Sequence, residues 1–212
     1  MKKEAVSPPK RDRRKELTMA AFHAIAGKGF EGLRIREVAA EVGINGATLH
    51  HYFPTKEDLI HSVVEYAILR LRGTMAGGWP AEASSASSPT TSTPSRKAER
   101  TPPEQLHDHI TKLYQLMQNE PDLFIVLTEV NLRARRTPIL DFLLEQHHIW
   151  HGILMSILKE GVAEHYWPES LDISATAANI ITLMEGVSSW ADTSPDWGRK
   201  AVQQLERWLG IE

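Results

Sequence analysis

Four consecutive residues, Asn45 to Thr48, are the ones in this chain best suited to contact DNA. Gly46 and Ala47 are small enough to let a backbone approach DNA closely. The Thr48 side chain can donate to a phosphate or pack against a thymine methyl group. Asn45 is a favourable N-cap for a short helix, at about 46–51, that would carry these residues into the major groove.

Neighbouring helices must position this short helix. Apolar residues at three- and four-residue spacing predict one helix at about 12–28, ended by glycines, and a second at about 35–42, stopped by Gly43. Pro54 ends the short helix, and Thr55 caps a fourth one. Short helices that meet at a glycine turn are typical of a helix-turn-helix.

The remaining chain predicts further helices and one long loop. The helical period gives helices at about 104–119, 121–134, 138–164, 172–191 and 195–210. Residues 81–102, rich in Ala, Ser, Thr and Pro, predict a flexible loop, and residues 1–11 a mobile arm. The chain is therefore predicted to be all-α with about nine helices. We expect a helix-turn-helix domain at 1–54 and a second helical domain at 55–212.

Composition and charge suit a DNA-binding part joined to a different domain. Up to Arg72 the chain has 13 Lys and Arg against 9 Asp and Glu, and the rest has 11 against 18. Such a basic first third favours nucleic acid, with ordinary charge scatter as the alternative. The absence of cysteine excludes disulfides, and no apolar run approaches the roughly 20 residues of a membrane span. We expect a cytoplasmic protein without a signal sequence or membrane partner.

Several runs of residues carry a family resemblance. They are Glu37-Val38-Ala39, Val42-Gly43-Ile44, Thr48-Leu49 and Tyr52-Phe53-Pro54-Thr55-Lys56-Glu57-Asp58-Leu59. In type, order and spacing these runs resemble the N-terminal domain of the TetR family of transcriptional regulators, over about residues 12–60. The resemblance implies a three-helix DNA-binding domain followed by a helical ligand-binding and dimerisation domain. It also implies a repressor that reads a pseudo-palindromic operator in double-stranded DNA as a homodimer.

The resemblance also implies roles for individual side chains. Tyr52 would bond a phosphate through its hydroxyl, with a core tyrosine as the alternative. Lys56 would contact phosphate from the first turn of the fourth helix. A lysine there opposes the helix dipole unless an anion is bound, and a solvated lysine is the alternative.

This chain departs from the family pattern at two places. The family usually has Thr or Ser where Leu33-Arg34 stand, and Tyr where His50 stands. Arg34 cannot cap a helix, but it can reach a phosphate. We expect the residues that join the DNA contacts to be Arg34, Arg36, His50 and His51, with plain solvent exposure as the alternative for the histidines. The basic stretch from Lys10 to Lys15 predicts contact with the DNA backbone or minor groove, or else a solvated tail.

The last helices predict a dimer interface by the same resemblance. The residues expected in it are Ile180, Val187, Trp190, Leu205 and Trp208. Tryptophans near the chain end are costly if left exposed, although these apolar stripes can also pack within their own domain.

The middle helices are expected to surround a pocket for a small-molecule effector of unknown identity. Its predicted lining is Met117, Phe124, Leu127, Asn131, His147, Trp150, Leu154, Met184 and Glu185, with ordinary core packing as the alternative for each.

Other functions find less support in the sequence. His147 and His151 share a helix face, but two nitrogens without a third ligand do not make a metal site, so no metal or cofactor is expected. No nucleophile, phosphate-loop or zinc-protease motif is present, which argues against an enzyme. A non-inducible or architectural DNA-binding protein with the same N-terminal domain remains the alternative.

Overall fold

The computed structural model describes residues 10–75, 100–134, 139–190 and 193–212. In these ranges the regular structure consists of nine α-helices, which confirms the predicted all-α class. They are α1 (Lys10–Gly32), α2 (Ile35–Glu41), α3 (Gly46–Tyr52), α4 (Lys56–Thr74), α5 (Pro102–Asn119), α6 (Pro121–Ala134), α7 (Ile139–Ala163), α8 (Ile173–Ser188) and α9 (Pro195–Leu209). None of the helices in the described ranges has the length and apolarity to cross a membrane.

Two predicted irregular segments differ from the structure where it describes them. The arm predicted at 1–11 is helical from Lys10, since α1 begins there, and the rest of the arm lies outside the described residues. The loop predicted at 81–102 ends earlier, because α5 begins at Pro102. Thr101 accepts from the Glu104 amide at 3.5 Å, and Glu104 accepts from the Thr101 amide at 2.8 Å. This capping box fixes the helix start, and loop residues 81–99 lie outside the described ranges.

The chain divides into two compact units. The first unit comprises Met1–Leu71 with Asp122–Leu140, and the second comprises Arg72–Pro121 with Asp141–Glu212. The units are defined by packing, whereas the boundary predicted at residue 54 divides the chain by function, and that division stays a prediction.

The first unit has a small apolar core between α1, α2, α3 and α4. Its fully buried side chains include Leu17, Ala21, Ile25, Leu33, Leu49, Phe53, Leu59 and Val63. One polar pair lies within this core, because the Thr18 and Ser62 hydroxyls are 3.0 Å apart and join α1 to α4. The backbone leaves the helical conformation within α1 at Gly29, whose φ of 64° and ψ of 178° are a combination that glycine adopts far more easily than other residues.

Helix α6 belongs to the first unit although it is distant in sequence. Glu129 accepts a hydrogen bond from the Phe30 amide at 3.4 Å, directly after the break at Gly29. Arg133 pairs with Glu31 at 3.2 Å, and its guanidinium lies 5.3 Å from the centre of the Phe30 ring. These contacts hold α6 against the C-terminal end of α1.

The second unit is built from α5, α7, α8 and α9 around a larger apolar core. Its buried side chains include Leu106, Ile110, Leu113, Met117, Leu154, Leu158, Ile180, Met184, Val202 and Leu205. Trp167 packs over Gly161, where no side chain would fit, and its indole donates to the Leu209 carbonyl at 2.8 Å. The indole therefore joins the segment after α7 to the end of α9.

A buried histidine joins α5 to α7 in this core. The indole N–H of Trp150 donates to Nε2 of His109 at 2.9 Å, and the two ring planes are inclined by 29° with their centres 6.5 Å apart. Because Nε2 accepts, the ring is neutral and carries its proton on Nδ1. Burial lowers the pKa of His109 to about 4, so folding favours the uncharged form.

This histidine predicts acid sensitivity of the fold. Unfolded His109 titrates near pH 6.5 and the folded residue near 4, so the unfolded chain binds more protons between these values. The contribution of neutral His109 to the free energy of unfolding is fully present above pH 6.5. As the pH falls toward 4, this free energy decreases by about 3 kcal/mol. Urea unfolding at fixed protein concentration, from pH 7 to 4.5, measures this loss.

The matched control is His109→Gln, whose side-chain oxygen can still accept from Trp150 but does not titrate. We expect its free energy of unfolding to fall less with pH than that of the unchanged protein. An identical fall in both proteins would show that His109 is not the group responsible.

Candidate nucleic-acid interface

The turn between α2 and α3 is a two-bond glycine motif. Gly43 has φ 73°, and its amide donates to the Ala40 carbonyl at 3.0 Å. The Ile44 amide donates to the Ala39 carbonyl at 2.9 Å. This is the Schellman pattern, in which the left-handed residue is usually glycine. It ends α2 within one residue, so that α3 can begin at once in a new direction.

Helix α3 buries one side and exposes the other. Leu49 and the C-cap residue Phe53 are fully buried, and they fix the helix on the first unit. Ala47 and Thr48 are exposed. A side chain added at Gly46 would meet no atom within 4 Å, so open space lies over the start of α3 and a DNA backbone can approach it.

The N-cap of α3 uses the Thr48 hydroxyl as well as its amide. Asn45 Oδ1 accepts from the Thr48 amide at 2.8 Å and from the Thr48 hydroxyl at 3.0 Å. The hydroxyl proton is therefore committed to the cap. What Thr48 presents outward is its methyl group and an acceptor oxygen, which suits a base edge better than a phosphate.

Two histidines lie on the exposed side at the end of α3. Nδ1 of His50 is 3.2 Å from the Pro54 carbonyl. Because a carbonyl only accepts, Nδ1 carries a proton, and Nε2 of the neutral ring is left as an acceptor. Contact with a phosphate then requires the protonated ring, whereas a base amino group can be bound by the neutral one. His51 is exposed and its ring stands edge-on to the half-buried Tyr52.

The start of α4 is capped by its own side chains. Thr55 Oγ1 accepts from the Asp58 amide at 3.0 Å, and Asp58 accepts from the Thr55 amide at 2.9 Å. Hydrogen bonds from Thr55 lower the pKa of Asp58. Lys56 is half-buried and donates weakly to the Phe30 carbonyl at 3.5 Å. Its ammonium group keeps further donors for a phosphate.

The two arginines of the α2 region are exposed. Arg34 stands at the N-cap of α2 without capping it through its side chain, as its chemistry predicts. It donates instead to the Glu31 carbonyl at 2.5 Å. Arg36 lies on the exposed side of α2. Both guanidinium groups are accessible to a phosphate, so their predicted DNA contacts fit their placement.

Two arginines of the basic stretch at the chain start make long-range structural contacts that the sequence pattern does not predict. Arg13 donates to the Val42 carbonyl at 2.9 Å, and Arg14 donates to the Tyr52 carbonyl at 2.6 Å. These contacts span 29 and 38 residues of sequence. The only local signal is their position one turn before the buried Leu17 on the same helix.

Comparison with known proteins decides the class of this site. A family model described as bacterial regulatory proteins of the tetR family matches residues 17–63, from the second turn of α1 to the middle of α4. Residues 17–63 therefore form a DNA-binding domain of the TetR family, and the chain is a DNA-binding transcription regulator. The residues that the model matches carry the helix-turn-helix described above.

Longer similarities extend over most of the chain. The fatty acid metabolism regulator protein of Bacillus subtilis is 25% identical over 182 residues, 85% of this chain and 84% of that protein. Nucleoid occlusion factor SlmA of Haemophilus influenzae is 24% identical over 184 residues, 83% of this chain and 73% of that protein. A TetR transcription regulator from Haloarcula marismortui shares the fold, with a TM-score of 0.76, 20% identity, and coverage of 94% of this chain and 97% of that chain.

The residues predicted for the dimer interface of this regulator fall into two groups. Ile180, Val187 and Leu205 are buried within the second unit, because the apolar faces of α8 and α9 pack against their own unit. Trp190 and Trp208 are exposed, and so is Trp197. Of the residues predicted for the interface, Trp190 and Trp208 are therefore the two that offer surface for a second copy to cover.

The residues predicted for the effector pocket are divided between the two units. Phe124, Leu127 and Asn131 lie on α6 in the first unit, and Asn131 is exposed. In the second unit the buried residues are Met117, Leu154 and Met184, while Trp150 is half-buried and bonded to His109.

The polar anchors predicted on α7 and α8 are placed outward. His147 and Glu185 are both exposed, and Nδ1 of His147 lies 3.7 Å from a carboxylate oxygen of Glu185. One buried polar side chain of the second unit is His109, which was not among the predicted pocket residues. Among the described residues no group of three His, Asp or Glu side chains is arranged to hold a metal ion.

Lys56 gives a direct test of phosphate contact. Lys56→Gln should weaken binding to all duplex DNA alike and reduce the slope of log affinity against log salt by about 1, since one phosphate contact is lost. Fluorescence anisotropy over a salt series measures both quantities.

The matched control removes a charge elsewhere in the same unit. Lys28 is exposed and pairs with Glu37 at 2.8 Å, so Lys28→Gln should leave the slope unchanged. An unchanged slope in Lys56→Gln itself would mean that Lys56 does not touch a phosphate.

Proposed function

We propose that this TetR-family regulator binds a pseudo-palindromic operator as a homodimer and leaves it when a small-molecule effector binds the C-terminal helices. The observation that carries the proposal is a set of three exposed tryptophans at the last two helices. The helix-turn-helix supports DNA binding, and the exposed tryptophans support assembly into a homodimer.

The exposed tryptophans are Trp190, Trp197 and Trp208, with 56%, 68% and 72% of their surface exposed. Trp190 and Trp197 are neighbours, with ring centres 6.4 Å apart. Trp197 and Trp208 are eleven residues apart, which places them on one face of α9 about 16 Å apart. Large exposed indoles mark surfaces that a partner covers.

A second copy of this chain is the partner that fits the function. Two copies related by a two-fold axis bury the same residues from each side. Their two α3 helices then read two half-sites related by the same axis, which is an inverted repeat separated by whole turns of DNA. The operator symmetry therefore follows from the interface.

The buried polar pair of the second unit supports an effector response. His109 and Trp150 place a hydrogen-bonding group among apolar side chains between α5 and α7, which is the composition of a small-molecule site. A relative similar over most of the chain is named as a regulator of fatty acid metabolism. An effector acts by binding one conformation more tightly than the other.

The second candidate is an architectural or non-inducible DNA-binding protein with the same helix-turn-helix. It is favoured by the similarity to a nucleoid occlusion factor at almost the same identity. Such a protein would bind DNA with the same contacts but without a response to small molecules.

Capture of genomic DNA tests the proposal. The purified protein is mixed with fragmented genomic DNA from its source, and the fragments retained across a salt series are sequenced. We expect a few sites that carry an inverted repeat and are retained to higher salt than the bulk, because specific contacts add to the phosphate term. Uniform retention of all fragments would favour the architectural function.

The tryptophans give a prediction on assembly. In the double variant Trp197→Ser, Trp208→Ser the dimer dissociation constant should rise about a hundredfold or more, since buried indoles dominate interface energies. Because both tryptophans are exposed on the single chain, the variant should still fold. Sedimentation equilibrium measures the constant, and circular dichroism checks the fold.

Tyr166 serves as the control, because it is also an exposed aromatic residue of the second unit. Tyr166→Ser should leave the dissociation constant unchanged. A dimer of unaltered strength in the double tryptophan variant would refute this interface.

A further inference from the structure

Two adjacent arginines in the first turns of α1 bond carbonyl groups at the C-terminal ends of α2 and α3. Arg13 donates to the carbonyl of Val42, the C-cap of α2, at 2.9 Å, and also pairs with Glu16 at 2.9 Å. Arg14 donates to the carbonyl of Tyr52, the last residue of α3, at 2.6 Å. One arginine thus reaches the end of each helix.

These carbonyl groups are the natural acceptors for a cation. The last carbonyls of a helix lack partners within the helix, and the helix dipole places partial negative charge there. A guanidinium that bonds them satisfies the carbonyl and interacts favourably with the dipole. Because both arginines belong to α1, the ends of α2 and α3 are both fixed relative to one helix.

Arg14 holds α3 at two points. Its guanidinium bonds the Tyr52 carbonyl and lies 4.2 Å from the centre of the Phe53 ring. Phe53 is fully buried, so the ring is itself fixed. A planar guanidinium can stack on an aromatic ring and donate in its plane at the same time, which a lysine ammonium cannot do.

A carboxylate of the same unit lies near the positive charge of Arg14. Asp58, at the start of α4, lies close enough for Arg14 to contribute to the lowering of its pKa, after the larger effect of Thr55. The guanidinium therefore has a carbonyl, an aromatic face and a nearby carboxylate of its own unit as partners, although the side chain as a whole is exposed. The hydrogen bond to Tyr52 and the contact with the Phe53 ring fix its position at the end of α3.

We propose that Arg14 is a positioning residue for DNA binding, which fixes the end of α3 through the Tyr52 carbonyl and the Phe53 ring and does not itself contact phosphate. The inference rests on the DNA binding of the chain and is independent of the proposed dimer and effector. It assigns to part of the basic stretch Lys10 to Lys15 a role other than that of a DNA-contacting arm.

The test uses the full chain and three variants: Arg14→Gln, Arg14→Lys and Lys15→Gln. The probes are two 30-base-pair duplexes, the genomic fragment retained to the highest salt and a shuffled version of it. Affinity is measured at 15 °C across a salt series, and backbone amide hydrogen exchange is measured without DNA. Lys15 is exposed in the same helical turn, so its variant is a matched loss of charge.

For Arg14→Gln we expect affinity to fall about tenfold, the size typical of one lost charged hydrogen bond. The salt slope should stay as in the unchanged protein, because no phosphate contact is lost. Amide exchange should accelerate in α3 and not in α5. Arg14→Lys should recover only part of the affinity, and Lys15→Gln should leave the α3 exchange unchanged.

Three results would overturn the proposal. A salt slope reduced by about 0.9 in Arg14→Gln would make Arg14 a phosphate contact. Unchanged affinity with a lower melting temperature would make its role merely structural. Full recovery by Arg14→Lys would show that charge alone suffices. The exchange measurement needs no operator, so failure to find a preferred genomic site would count against the proposed function and not against Arg14.

Discussion

A helix of seven residues does not hold its own shape in water, and α3 has only seven. The DNA-binding surface of the first unit therefore depends on contacts that hold α3 against the rest of that unit. Leu49 and Phe53 supply buried apolar surface on one side, and Asn45 closes its first turn. Because the inner side supplies the stability, the outer side is free to carry small and polar residues that contribute little to folding. Stability and DNA readout are therefore separated on two faces of one short element.

Among the described residues, each unit also contains a buried polar side chain that contacts a second helix. Thr18 and Ser62 join α1 to α4, and His109 and Trp150 join α5 to α7. Apolar contacts are not directional, so they fix how closely helices pack better than how they are rotated. A buried hydrogen bond is costly when it is broken, and it therefore selects one rotation of each pair. In this chain the apolar core and the polar contact have complementary roles.

The sequence predicted well what depends on neighbouring residues. The turn at Gly43, the caps at Asn45 and Thr55, and the bounds of α6 follow from local propensity and all appear in the structure. What it missed depends on contacts between distant residues. The roles of Arg13 and Arg14, and the contact of Glu129 with an amide 99 residues away, leave no periodic signal. The dimer residues show the same limit, because Ile180 and Trp190 look equally apolar in sequence while one is buried and the other exposed.

The membership of α6 in the first unit bears on how such proteins can be recombined. The simplest chimaera that joins the DNA-binding end of one regulator to the C-terminal body of another has a single crossover. In this chain a single cut after α4 would separate Phe30 and Glu31 from Glu129 and Arg133, and would combine two surfaces that never packed together. A transplant that preserves the unit needs two inserts, residues 1–71 and 122–140, exchanged as a pair. The first unit is therefore encoded by two separate stretches of the gene, although it is compact in the folded protein.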